Sequence, residues 1–313
     1  MKYLNWILLI SISMTFVSCD TDEASLPIQV SKDFVEIEAE GGEIEISITG
    51  SEWHIKEVLN QNGWVKIHGN VYNLDGEQIV ESKPLTLDEF GEMKALWTDK
   101  GFRITRDSPA SLKLFLEENW SGKEFSFVVV LESQRELMEI LVTQKQSQGY
   151  TFEKIQYYLN ENDGDSLFIK EGSTYKFDIE SPQEFSFSPI NGIDIHRSFY
   201  FDSSEKDAFV WIKQDSVMVS LPFDINNNQV SFNGEKGLYA NTIIKTEHGF
   251  NDLLETVNIP SGESEFYTEL EYRKRQISYS LHLINNRTTE VKIIEGKWIE
   301  YAPTGEYSIH WQH

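Results

Sequence analysis

Apolar and polar residues alternate with a period of two over most of this chain. Between residues 35 and 40, Val, Ile and Ala alternate with Glu, and between residues 43 and 48, Ile alternates with Glu and Ser. Gly41 and Gly42 separate the two segments. Because successive side chains of a β-strand point to opposite faces, the pattern predicts two strands joined by a two-glycine turn, each with one buried and one charged face.

The same alternation predicts further strands in the first half of the chain, at residues 112–116, 125–131 and 138–142. One segment differs from this pattern. Residues 86–89 have the sequence of a capping box, and Leu87, Phe90 and Trp97 follow one another at helical spacing. The sequence therefore predicts a short helix here, although Gly91 weakens the signal.

Polar residues without periodicity at 146–149 predict a domain boundary. Beyond them, Asp163-Gly164 predicts a hairpin turn between two strands. Strands are predicted at residues 155–159, 166–169, 174–179, 198–202, 209–213, 217–223, 238–245, 265–272, 277–284, 289–297 and 307–311. We therefore expect an all-β protein, with a β-sandwich at residues 27–147 and a larger all-β sandwich or elongated sheet domain at residues 150–313.

The first domain also contains short segments that resemble those of a known protein family. Residues 51–53 and 63–65 contain Trp53 and Trp64, and residues 140–144 read Ile-Leu-Val-Thr-Gln. Together with residues 28–30, 40–42 and 112–123, they resemble the BACON domain, a Bacteroidetes-associated module named for carbohydrate binding and an often N-terminal position. The resemblance implies an immunoglobulin-like β-sandwich. Phe125 in place of the usual Arg and an insertion at residues 66–105 depart from the family pattern.

The N-terminus has the features of a lipoprotein signal. Lys2 precedes an uncharged apolar run at residues 4–17, which ends at the lipobox-like sequence Phe16-Val17-Ser18-Cys19. The run is too short to span a bilayer as a mature helix, so residues 1–18 are predicted to be removed. Cys19 would then carry a lipid anchor that includes palmitate. An ordinary signal peptide with an incidental cysteine is the alternative.

The expected location is the outer membrane, with the protein lipid-anchored and facing the cell exterior. Residues 19–26 form an acidic tether, which resembles the export signal of Bacteroidetes surface lipoproteins. A lipoprotein that faces the periplasm is the alternative. Removal of residues 1–18 takes away Lys2 and no acid, so 51 acidic and 26 basic residues remain, a formal charge of −25. This charge argues against nucleic acid or anionic lipid as a partner.

Motifs for catalysis are absent from the sequence. There is no Gly-x-Ser-x-Gly elbow, no His-Glu-x-x-His and no phosphate-binding glycine loop, and the seven histidines are scattered. Residues 160–165 superficially suggest a calcium loop, but Leu159 would stand at a ligand position, so a turn is expected. Asn226-Asn227-Asn228 is also interpreted as a turn first and a ligand site second. We expect no enzymatic activity, no cofactor and no metal.

Aromatic side chains are the candidates for ligand binding, because sugar rings stack their apolar faces on flat side chains. Trp53 and Trp64 are expected in the core. Trp120, in a predicted turn, and Trp97, at the end of the insertion, are better placed to face solvent, and a local packing role is the alternative for both. Trp298 is the candidate of the second domain. Tyrosines at 157, 158, 267 and 272 are further candidates there, and each of these aromatics could instead be an inward strand residue.

The C-terminal part has a second resemblance. Residues 259–262, an alternating hairpin at 266–284, residues 285–288 and residues 296–298 look like the closing half of an aerolysin-type pore-forming fold. That family needs a long, alternating insertion hairpin, and each membrane strand needs about 9 to 11 residues. The best stretch, residues 216–233, is interrupted by Pro222 and has a short return strand, so a plain hairpin is favoured.

These observations favour a surface lipoprotein that binds an extracellular glycan and catalyses no reaction. The BACON-like domain would serve as a spacer, the C-terminal domain would carry the contact, and neighbouring outer-membrane uptake proteins are expected partners. The alternative is an aerolysin-like toxin or adhesin that acts on other cells.

The lipid anchor gives a first testable prediction. Labelled palmitate should be incorporated into the wild-type protein and not into Cys19→Ser, because the thiol of Cys19 is the attachment point. Protease treatment of intact cells should digest the wild-type protein if it faces outward. Equal labelling of the variant would contradict lipidation at Cys19.

Overall fold

The computed structural model describes residues 26–50, 52–61, 65–134, 136–205, 207–210, 217–246 and 253–312. The predicted signal peptide, Cys19 and Trp64 lie outside these residues, so the expectations about them stay predictions. Every regular element among the described residues is a β-strand, which confirms the all-β class. No helix in this part of the chain is long and apolar enough to cross a membrane.

The N-terminal half forms two sheets that pack face to face. Its strands are β1 (Gln29–Val30), β2 (Phe34–Ile37), β3 (Gly42–Thr49), β4 (Trp53–Asn60), β5 (His68–Tyr72), β6 (Gln78–Pro84), β7 (Gly91–Leu96), β8 (Gly101–Ser108), β9 (Ser111–Leu116), β10 (Phe125–Ser133) and β11 (Leu137–Gln144). One sheet has the order β1-β3-β9-β8-β7-β5-β6 and the other β2-β11-β10-β4. Buried residues of both sheets, among them Ile46, Phe102 and Val129, form one core. Trp53 belongs to this core, as expected.

The two-glycine turn joins strands of different sheets. β2 pairs in parallel with β11, whereas β3 pairs with β1 and β9, so the chain crosses the sandwich at Gly41 and Gly42. Both glycines have positive φ, at 77° and 127°. A Cβ on Gly41 would lie 2.1 Å from the carbonyl oxygen of Leu116, so this crossing requires glycine.

The short helix predicted at residues 86–97 is wrong. Leu87 forms an isolated bridge with Ile55, and residues 91–96 are strand β7. The side chains of β7 alternate in burial, with Met93 and Ala95 inside the sandwich. Pairing with β5 and β8 satisfies the backbone of this segment on both sides, and this tertiary pairing outweighs a weak local capping signal.

The C-terminal half is built on two long strands. Its elements are β12 (Tyr150–Tyr158), β13 (Gly164–Ile179), β14 (Gln183–Phe187), β15 (Arg197–Asp202), β16 (Met218–Ser220), β17 (Asp224–Asn226), β18 (Gln229–Ser231), β19 (Lys236–Leu238), β20 (Ile244–Thr246), β21 (Glu255–Ile259), β22 (Gly262–Asn285) and β23 (Val291–Gln312). β22 and β23 pair along almost their whole length, from Glu265 opposite Gln312 to Ile284 opposite Val291. The hairpin predicted within residues 266–284 is therefore wrong, since this segment is one strand.

β12 and β13 follow each other along the same edge of β22. Tyr150 lies opposite Asn285, Tyr158 opposite Ser278, and β13 continues from Gly164 opposite Gln276. The hairpin predicted at Asp163-Gly164 is thus wrong, because both strands run antiparallel to β22 in the same direction. The loop between them bulges out of the sheet without reversing the chain.

Several of the shorter predicted strands are reduced in the structure. Residues 207–210 form turns, and residues 211–216 lie outside the described residues. Only β16 remains of the strand predicted at 217–223. Of the strand predicted at 238–245, Leu238 lies in β19 and residues 244–245 lie in β20, while residues 239–243 belong to neither strand. β14–β21, β16–β19 and β17–β18 form separate two-stranded sheets.

The two halves contact each other at the end of the β22–β23 hairpin. Glu40 accepts hydrogen bonds from Asn285 and Arg287, both at 2.9 Å. Trp120 stacks on Tyr150 at 5.2 Å and is 7% exposed, so it belongs to the core of the C-terminal half. These contacts join the two halves, and the boundary at residues 146–149 stays a prediction.

Trp120 gives a testable prediction about stability. Trp120→Ala removes a buried ring that joins the two halves and should lower the free energy of unfolding by about 3 kcal/mol. Trp97→Ala is the control, because Trp97 is 37% exposed and should cost about 1 kcal/mol. Urea unfolding monitored by fluorescence measures both values, and equal losses would contradict the burial of Trp120.

Candidate functional site

A groove lined by aromatic and amide side chains runs between β12 and the β17–β18 hairpin. It consists of two adjoining clefts, of about 930 and 530 Å³, that share Ile155, Tyr157 and Phe232. We call it the tyrosine groove. Its lining residues include four with carboxamide side chains, Gln156, Asn160, Asn228 and Gln229.

The β17–β18 hairpin places the amides at the groove because its turn needs left-handed residues. Asn226 pairs with Gln229, and Asn227 and Asn228 between them have φ of 53° and 59°. Asparagine tolerates this conformation, which two-residue hairpins of this kind require at both central positions. The expectation that Asn226-Asn227-Asn228 forms a turn is confirmed. The chain leaves β18 at Ser231 and places Phe232 in the groove.

A buried arginine fixes the hairpin to the main sheet. Arg275 of β22 is fully buried, and its guanidinium donates to both carboxylate oxygens of Asp165 at 2.6 and 2.7 Å. It also donates to Asp224 at 3.0 Å and to the carbonyl of Phe223. Because Asp224 and Phe223 stand at the start of the hairpin, these bonds hold the groove wall in one position.

The aromatic side chains of the groove leave apolar surface open to solvent. The rings of Tyr157 and Phe232 lie 5.7 Å apart at an angle of 49°, and Phe232 is 49% exposed. The Tyr157 hydroxyl donates to the carbonyl of Ser220 at 2.8 Å, which fixes the ring. Burial raises the pKa of Tyr157, so the hydroxyl stays protonated at neutral pH.

The amides of the groove are available for a ligand. Within the described residues, the side chains of Gln156, Asn228 and Gln229 make no hydrogen bond to the protein, whereas Asn160 donates to Ser278 at 3.0 Å. Each amide offers both donors and an acceptor. Apolar rings beside free amides suit a ligand with apolar C–H faces and many hydroxyl groups.

Asp163, at the end of the groove, has a structural role. Its carboxylate accepts five hydrogen bonds: from Ser278 N and Oγ at 3.0 and 2.6 Å, Asn160 N at 3.0 Å, Lys297 at 3.0 Å and Gln276 at 3.2 Å. Burial alone would raise the pKa of this carboxyl, but these bonds outweigh it and lower the pKa to about 2. The carboxylate is saturated and holds the loop between β12 and β13 against β22.

The tryptophan candidates lie away from this groove. Trp298 is fully buried in the core of the C-terminal half, so the structure places it as an inward strand residue with no face open to a ligand. Trp120 is buried as well, because Tyr150 stacks on its ring and Lys292 lies 4.2 Å from the ring centroid. The expectation that Trp120 faces solvent is wrong.

Trp97 is partly exposed, in contrast to Trp298 and Trp120. It packs edge-on against Phe125 at 5.6 Å, and together with Trp120 it lines a small cleft of about 340 Å³ at the junction of the two halves. A role for Trp97 in ligand binding stays a prediction. Among the other candidates, Tyr272 is buried and Tyr267 stacks on His310 at 5.1 Å.

The structure thus brings together two segments that the sequence indicated separately, Tyr157-Tyr158 and the asparagine turn. Sequence analysis missed Phe232, Gln156 and Gln229. Phe232 was part of the stretch considered for membrane insertion. The alternating pattern of that stretch does not indicate which other segment Phe232 contacts. Within the described residues, no group of three or more His, Cys, Asp or Glu side chains is arranged to hold a metal ion.

Comparisons with known proteins find similar solved structures but no protein family to which the chain can be assigned. No protein-family model matches the chain, and no curated protein matches it. The structure is similar to a protein from Bacteroides thetaiotaomicron, with 18% identity over 41% of this chain and 95% of that chain and a TM-score of 0.27. The resemblance to BACON domains therefore stays a prediction.

Two further solved structures are similar over more of the chain. One is a lamprey immune protein, with 9% identity over 92% of this chain and 90% of that chain and a TM-score of 0.33. The other is parasporin-2, a Bacillus thuringiensis toxin that recognizes cancer cells, with 8% identity over 61% and 75% and a TM-score of 0.30. Scores this low carry no argument about activity, and the aerolysin-type resemblance also stays a prediction.

The pKa of Asp163 gives a testable prediction about pH. A carboxyl whose pKa falls from 3.8 to about 2 on folding stabilises the protein above its ordinary pKa, and this contribution is lost as pH falls towards 2. Asp163→Asn should therefore cost about 2 kcal/mol at pH 7, and its difference from wild type should shrink between about pH 5 and pH 2.

Asp178→Asn is the matched control, since Asp178 is exposed on β13 and forms no ion pair within the described residues. Urea unfolding at a series of pH values measures both variants. A loss for Asp163→Asn that is independent of pH would contradict the role of the ionised carboxylate.

Proposed function

We propose that the protein binds an extracellular glycan in the tyrosine groove and catalyses no reaction on it. The observation that carries this proposal is that the Tyr157 and Phe232 rings lie 5.7 Å apart in one open groove whose lining residues include four with carboxamide side chains. Aromatic faces bind the apolar side of a sugar ring, and amides bind its hydroxyls in either direction. The one buried carboxylate of the groove, Asp163, is already saturated and so is a poor acid or base.

The charge of the chain favours a neutral glycan. The mature chain has a formal charge of −25, which repels polyanionic polymers at long range. The groove itself contains amides and aromatic rings, with Lys154 and Lys236 at one end and Glu161 near the other. A neutral oligosaccharide meets no unpaired charge at the centre of this surface.

The order of the segments fits capture at the cell surface. A lipid on Cys19 would anchor the N-terminal sandwich to the outer membrane, and the sandwich would act as a spacer that carries the groove away from the bilayer. Contacts at Glu40 and Trp120 hold the groove-bearing half against this spacer. Outer-membrane uptake proteins are the expected partners that receive the glycan.

A pore-forming role is the less favoured function. In the stretch considered for insertion, β17 and β18 have three residues each within the described residues. A strand that crosses a membrane needs about 9 to 11 residues. Leakage of dye from liposomes, measured on the protein used for glycan binding, separates this alternative.

A glycan array followed by titration tests the proposed function. Phe232→Ala should weaken binding of the best neutral oligosaccharide by about 1 to 3 kcal/mol, because it removes a stacking face. Phe223→Ala is the matched control, since Phe223 directly precedes β17 of the same hairpin, is 56% exposed and does not line the groove. Equal weakening by both variants, or leakage without glycan binding, would contradict the proposal.

A further inference from the structure

A second cleft opens at one end of the N-terminal sandwich, away from the tyrosine groove. It has a volume of about 960 Å³ and lies between the start of β4, the end of β8 and the segment before β7. Arg106, Trp53 and Phe90 line it together with several carboxylates. The cleft is unrelated to the residues of the proposed function, so it can be tested independently.

Arg106 is a buried cation with no carboxylate at ion-pair distance among the described residues. It is 8% exposed, yet it forms no ion pair within the described residues. Its Nη1 donates to the carbonyl of Asp88 at 2.8 Å, while its Nε is buried without a hydrogen-bond partner. Burial lowers the pKa of Arg106, and the charge of Glu52 offsets this only in part.

Aromatic rings flank the guanidinium in place of an acid. The Cζ atom of Arg106 lies 4.3 Å from the centroid of the Trp53 ring and 5.0 Å from that of Phe90. Such contacts stabilise the charge and hold the guanidinium in a fixed plane. They leave the Nε donor of Arg106 unused, and a planar guanidinium matches the two oxygens of a carboxylate. An unpaired buried charge is costly unless a ligand completes it.

The carboxylates that line the cleft indicate which further chemical groups a ligand needs. Glu132 is already occupied by Lys56 at 2.6 Å and His54 at 3.3 Å. Glu52 and Glu89 form no ion pair within the described residues and remain free to accept hydrogen bonds. Ionised carboxylates only accept, so they require donors such as hydroxyl groups on the ligand and disfavour a simple inorganic anion.

We propose that this cleft binds a small organic carboxylate that also carries hydroxyl groups, with the carboxylate on Arg106 and the hydroxyls donating to Glu52 and Glu89. Phe90 is 43% exposed and offers a face to an apolar side of the ligand. An acidic sugar and an open-chain hydroxy acid share this chemistry.

Calorimetric titration of the full chain with galacturonate, gluconate and galactose tests the proposal and separates the two sources. Binding of galacturonate alone identifies an acidic sugar, binding of gluconate alone identifies an open-chain acid, and binding of both supports the shared chemistry. Galactose should bind at least tenfold more weakly than galacturonate, because it lacks the carboxylate. No binding of either acid, or galactose binding as tightly as galacturonate, would overturn the proposal.

Arg106→Gln should weaken carboxylate binding at least tenfold. Arg103→Gln is its matched control, because it removes the same charge from the same strand, where Arg103 pairs with Glu92 outside the cleft. If Arg106→Gln does not fold, Phe90→Ala is used in its place. Phe90 is exposed, and its replacement by alanine should weaken binding severalfold. Unchanged binding in the folded Arg106→Gln variant, or in Phe90→Ala where that variant does not fold, would refute the assignment.

Discussion

The antiparallel ladder between β22 and β23 is the interaction on which the C-terminal half depends. β22 is hydrogen-bonded on both edges, to β23 on one side and to β12 and then β13 on the other. Every neighbouring element takes its position from this strand. The tyrosine groove exists because β12 lies on one edge of β22 while Arg275, from the same strand, holds the hairpin that faces it.

The buried ion pairs of the main sheet fix the register of its strands more than they add to the free energy of unfolding. Buried ion pairs lose much of their Coulomb energy to desolvation, so their net contribution is small, while a mispaired partner is costly. A slip of one residue on β22 would turn Arg275 away from Asp165 and expose every inward side chain. The same holds for Glu300, which pairs with Arg197 and Arg273 while almost fully buried. These pairs specify one alignment of the long strands.

Sequence patterns predicted the strands well and their partners poorly. Period-two alternation reports which face of a strand is buried, and it located most long strands, but it carries no information about which edge pairs with which. Asp163-Gly164 has the composition of a hairpin turn, yet the hydrogen bonds of Asp163 hold this loop against β22, and the chain continues along the same edge in β13. Trp120 has the local context of an exposed turn residue and is buried by Tyr150, from the other half. Phe232 and Gln156 meet only through pairing at long range.

The central claim is that one surface, the tyrosine groove, binds the glycan. Side-chain amide resonances of ¹⁵N-labelled protein test it most directly, because asparagine and glutamine NH₂ groups report contact at single residues. With a saturating oligosaccharide that binds on the array, the account predicts that the amides of Gln156, Asn160, Asn228 and Gln229 shift together. Shifts confined to another surface, with these four amides unchanged, would contradict it.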